Sequence, residues 1–84
     1  MVTVPQLIEI SQDVGYCWKI LGRSLRCREE EIDFIDGQDK TVPEKALTLL
    51  LMWSRNMENS ATVGLLVDCL REIKLGGVAE KLLG

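Results

Sequence analysis

Apolar residues in this chain recur at intervals of three and four, and strict apolar–polar alternation runs nowhere at length. That spacing lines apolar side chains along one stripe of an α-helix and leaves no half-buried strands from which to build a sheet. Two of the stretches open alike, with Thr3-Val4-Pro5-Gln6 and Thr41-Val42-Pro43-Glu44. Each has the form of a capping box. The threonine hydroxyl accepts from an amide of the first turn, and the Gln or Glu side chain reaches back to the threonine amide. The residues after the two boxes differ, so the boxes are a recurrent start signal rather than an internal repeat.

Six helices are expected. The first runs from Pro5 to Val14, with Leu7, Ile10 and Val14 on one face and Gly15 ending it. A second covers Tyr16 to Leu25, buries Trp18, Leu21 and Leu25, and carries Gly22 where a neighbouring helix can approach. Lys19, Arg23 and Arg26 share another of its faces. The third is short, Glu29 to Asp36, with Ile32 and Ile35 inward and three leading glutamates where the helix dipole favours negative charge. A fourth runs from the Thr41 cap to Asn56, with Ala46, Leu50 and Trp53 inward. Thr62 or Ser60 caps a fifth carrying Leu66, Leu70 and Ile73, Gly76-Gly77 breaks it, and Val78 to Leu83 form the sixth. Helices this short, joined by short loops, make a compact all-α antiparallel bundle. With 84 residues the chain is read as one domain, 1–84, whose stability is on the order of 5 kcal/mol. Its ends lie flush with helical pattern, as in a module cut from a longer protein.

Function classes fall away on composition. There is no histidine, so neither a Ser-His-Asp nor a Cys-His nucleophile pair can be assembled. Cys17, Cys27 and Cys69 are an odd, scattered set, poor in zinc-ligand spacing and suited to a reducing compartment. They read as small buried apolar groups, with Cys27, between Arg26 and Arg28, the one thiol that has basic neighbours. No glycine-rich phosphate loop occurs. Glu29, Glu30, Glu31, Asp33 and Asp36 lack the spacing of a calcium loop and read as solvated. No enzyme activity, metal, cofactor or small-molecule substrate is therefore expected. Thirteen Asp and Glu against ten Lys and Arg repel a polyanion, so nucleic acid is not an expected partner. A helix-turn-helix DNA reader has only the Arg-bearing second helix in its favour, and the acidic helix beside it opposes that reading. The longest apolar stretch, around Leu47 to Trp53, is too short for membrane insertion, and no signal peptide opens the chain, so a cytoplasmic location is expected.

Several segments resemble the death-domain family. Gly15-Tyr16-Cys17-Trp18-Lys19-Ile20-Leu21-Gly22-Arg23-Ser24-Leu25 is similar to its Gly, Trp and Leu-Ala-Arg-like signature, and Ile32 and Ile35 to its paired isoleucines. Leu50 with Met52 and Trp53 resembles its Leu-x-x-Trp. Ala61-Thr62 with Leu66 and Leu70, and Val78-Ala79-Glu80, resemble its fifth helix and its ending. The match covers nearly the whole chain in order. Three departures stand out. Arg28 takes the place of a Ser-like cap, Phe34 that of a small or polar residue, and Leu47 and Leu51 occupy turns that are often charged. Leu47 and Leu51 are either buried by an unusual helix rotation or an exposed apolar patch.

The resemblance implies a six-helix Greek-key bundle that assembles with other death domains, homotypically or heterotypically, through paired complementary surfaces in intracellular signalling. The apoptotic or inflammatory adaptor type and the structural or regulatory ankyrin type are both open to it. It also implies an interface from the second and third helices, using Lys19, Arg23, Arg26, Glu30, Glu31 and Asp33, that meets the first and fourth helices of a neighbour. A second contact would join Arg55, Asn56 and Glu58 to the loop near Lys74. Phe34 lies about 200° from Ile32 and about 100° from Ile35 at 100° per residue, so it cannot share their inward direction fully. It is read as an interface anchor, the competing reading being that it tucks under the loop at Gln38 to Lys40.

Overall fold

The computed structural model describes residues 2–83. Both capping boxes form. Thr3 accepts from the Gln6 amide and opens α1 (Val4–Val14), and Thr41 accepts from the Glu44 amide and opens α4 (Val42–Met57), each with its proline in the first turn. Between them lie α2 (Trp18–Ser24) and α3 (Glu29–Asp36); α5 (Val63–Glu72) and α6 (Gly76–Leu83) complete the chain. Thr62, rather than Ser60, caps α5, accepting from the Leu65 amide. Among the described residues there is no strand, and the fold is the expected six-helix bundle.

Helix α4 is the hub. It packs against α1, α2 and α3, while α5 lies on α2 and α6, and α6 returns to α1. Three neighbours need a broad apolar stripe, so Leu49 is as fully buried as the expected Ala46, Leu50 and Trp53. Leu47 and Leu51 are half-buried and lean on the same core, closer to the rotated-helix expectation than to a fully exposed patch. Gly22 is what lets α2 approach. A Cβ there would sit 3.1 Å from Leu49 Cδ1 and 3.2 Å from Ile32 Cδ1.

Local boundaries differ from expectation in three places. Gly15–Cys17 is a 3₁₀ turn, so α2 starts at Trp18 and Tyr16 stands 88% exposed. At the end of α5, Lys74 rather than a glycine adopts the left-handed conformation (φ 68°), and Gly76 and Gly77 form the first turn of α6 instead of separating the helices. Ile73 falls just outside α5 and is half-buried.

Glu58 ends α4 at φ 52°, ψ −118°, nearly the conformation that Gly15 adopts at the end of α1. A side chain in that region stores roughly 1–3 kcal/mol of backbone strain. Glycine relieves the strain but gives the unfolded chain more freedom, so Glu58→Gly is expected to stabilise by a net of about 0.5–1 kcal/mol. Thermal melting followed by circular dichroism reads this as a rise of a few degrees. A melting temperature at or below that of the parent chain counts against strain at this corner.

Candidate functional site

The charged face of α2 and α3 is built by two short helices lying side by side. Its opposite charges largely meet within one molecule. Lys19 Nζ donates to Asp36 Oδ2 at 2.7 Å, and Arg23 Nε donates to Glu29 Oε1 at 2.8 Å. Lys45, reaching over from α4 with only 16% of its side chain exposed, donates to the Asp36 carbonyl at 2.8 Å and to its carboxylate at 3.3 Å. The Lys19 hydrogen bond, reinforced by Lys45, holds the Asp36 carboxyl below the usual carboxylate range, and Arg23 does the same for Glu29. Water screens exposed pairs of this kind, so they hold weakly and a partner can compete for them.

Glu31 is turned to internal use. Its carboxylate accepts from the Arg28 amide at 3.1 Å, one half of a capping box, and from Asn56 Nδ2 at 3.4 Å, which ties α3 to the end of α4. A guanidinium has no acceptor, so Arg28 cannot supply the other half. The helix therefore relies on its own acidic first turn, as expected from the missing cap residue. Arg26, Glu30 and Asp33 are exposed and make no ion pair among the described residues. Phe34, on α3 with Glu30 and Asp33, stands 71% exposed, which excludes its being tucked under the loop at Gln38 to Lys40.

Arg55, Asn56 and Glu58 are exposed at the end of α4, and Lys74 is exposed after α5. The backbone is left-handed at both Glu58 and Lys74, and at Arg26 as well (φ 66°). Cys27 is half-buried, and that burial, with Glu31 nearby, pushes its thiol up to about 11 despite the arginines on either side. Desolvation outweighs the basic neighbours here, so the thiol stays protonated at neutral pH and is a poor nucleophile. Cys69 is buried and Cys17 half-buried. Among the described residues no helix is long and apolar enough to cross a membrane.

Sequence reasoning locates the charged face and Phe34 but does not show how far its charges are spent on one another, nor the part played by Lys45. It also misses Tyr16 as a surface residue. The signal is present: Tyr16 precedes the buried Trp18 by two residues, about 200° away around a helix.

The death-domain family model matches residues 3–84. The chain is also similar to the human protein described as FAS-associated death domain protein, with 32% identity over 72 residues. That match covers 84% of this chain and spans 35% of the relative's length. With the fold, the paired isoleucines of α3 and the buried tryptophan of α4 all in place, the chain belongs to the death-domain family.

Proposed function

We propose that this domain is a homotypic assembly module that clusters death-domain partners within an intracellular signalling complex of the adaptor or receptor kind. The observation that carries the reading is the exposed ring of Phe34 with the solvated carboxylates of Glu30 and Asp33 on the same short helix. An aromatic anchor within a charged rim is how binding energy and orientation are divided in protein interfaces. In this reading Lys19, Arg23, Arg26, Glu30, Glu31, Asp33 and Phe34 meet the first and fourth helices of a neighbour, and Arg55, Asn56 and Glu58 meet the turn at Lys74. Similarity to the FAS-associated death domain protein favours the adaptor type over the ankyrin type.

Charge steers such an encounter over a Debye length of about 8 Å at physiological salt. Sedimentation of the parent chain and the double variant Arg23→Glu/Arg26→Glu across a salt series tests the reading. Association is expected to weaken as salt rises in the parent chain, and to fall at least about tenfold in the variant while its helical circular dichroism is unchanged. Association indifferent to both salt and charge reversal would exclude this face.

A further inference from the structure

The ends of α2 and α4 converge on the outer face of α5 around a cleft of about 450 Å³. Leu25, Trp53, Met57 and Leu65 give it apolar walls, and Asp68 and Glu72, one turn apart on α5, set two carboxylates on one side. Arg26 supplies the single positive charge of the lining. Two of the lining residues leave a buried polar atom without a partner, Trp53 Nε1 and Ser24 Oγ, although Trp53 itself is only 2% exposed. Both atoms are closed off from solvent, so what the cleft offers a partner is room, apolar walls and a net negative rim.

The guest these features select is a large apolar side chain with positive charge beside it. The chain carries one on its own surface. Tyr16 is 88% exposed, and Ile20, one turn further on, is 51% exposed; Lys19 and Arg23 flank them. Phe34, the other exposed aromatic, fits worse, because its neighbours Glu30 and Asp33 would face Asp68 and Glu72. We propose that Tyr16 of a second copy of this chain inserts into the α2–α4–α5 cleft. Its ring would there lie against Leu25, Met57 and Leu65, and the positive charge of α2 beside it would face the Asp68–Glu72 wall. Knob and hole lie on different surfaces, so the contact is head-to-tail and propagates. It rests on the reading that the domain self-associates, but it uses a surface of α5 that the α2/α3 contact does not.

Sedimentation equilibrium of the 84-residue chain and its variants decides the point, with folding checked by circular dichroism. Tyr16→Ala and Asp68→Arg are each expected to weaken self-association about 30-fold, with melting unchanged. As the parent chain associates, the Trp53 indole N–H resonance should shift in proportion to the fraction bound. A parent chain that stays monomeric at millimolar concentration overturns both this contact and homotypic assembly. A parent chain that associates while Asp68→Arg and Tyr16→Ala leave it untouched, or whose Trp53 indole does not move, overturns the cleft contact alone and leaves the α2/α3 reading standing.

Discussion

Replacing Trp53 or Leu66 with alanine is expected to leave little or no folded domain at 37 °C. Trp53 is 2% exposed in the C-terminal half of α4, the helix that three others pack against, and Leu66 is fully buried on α5. Deleting a buried leucine costs about 2–5 kcal/mol, and a buried tryptophan about 3–5 kcal/mol, because the cavity collapses only in part. A domain of this size holds only about 5 kcal/mol in all. Urea titration would then show each variant with a midpoint near zero denaturant, or unfolded from the outset. Leu65→Ala, one residue from Leu66 but 36% exposed, serves as the control and should lose less than about 1 kcal/mol. Midpoints for Trp53→Ala and Leu66→Ala close to that control would mean that α4 and α5 are not what closes the core.

Phe34→Ser is expected to do the opposite, leaving stability alone and removing binding. With 71% of its surface already in water, the ring contributes little to the folded state, and serine on an exposed helical position costs only a few tenths of a kcal/mol. Its neighbours Glu30 and Asp33 keep solvent and counter-charge around it, so in an assembly the ring is the part that becomes newly desolvated. Hot-spot aromatics contribute about 2 kcal/mol or more on truncation, which a binding isotherm reads as roughly a 30-fold weaker association. The two measurements separate cleanly. A serine variant that melts much earlier, yet binds in proportion to its folded fraction, would place Phe34 among the stabilising residues of α3 and remove it from the interface.

Phe34 also marks how far a linear reading reaches. Its outward direction follows from its offset to Ile32 and Ile35, and the structure agrees because α3 is regular over its whole length. The same logic falls one residue short on α4, where the pattern points Ala46, Leu50 and Trp53 inward but Leu49 is buried beside them. Nothing in the local pattern says that three helices will press on α4 rather than one, and the width of a buried stripe depends on that number. Helical spacing alone places Tyr16 in α2, while the chain spends Gly15–Cys17 on a tighter turn and α2 begins only at Trp18. Two adjacent glycines near the end predict a break, but Lys74 already provides the left-handed residue, which frees Gly76 and Gly77 to start α6.

What the sequence determined by itself is what physics decides within about four residues: which segments coil, where Thr3, Thr41 and Thr62 start them, and which side chains share a stripe. Those interactions are made by neighbours in the chain, so their partners can be read in order. Tertiary structure alone decided which charges remain available to a partner. Lys19 finds Asp36 seventeen positions away, Lys81 on α6 closes onto Asp13 on α1 across sixty-eight, and Lys45 folds over the end of α3. It also decided the cleft, whose walls come from three helices that meet only after α2, α4 and α5 have packed. Coulomb attraction and burial fall off with distance through space and carry no record of separation along the chain, which is why neither could be read before the fold had set those distances.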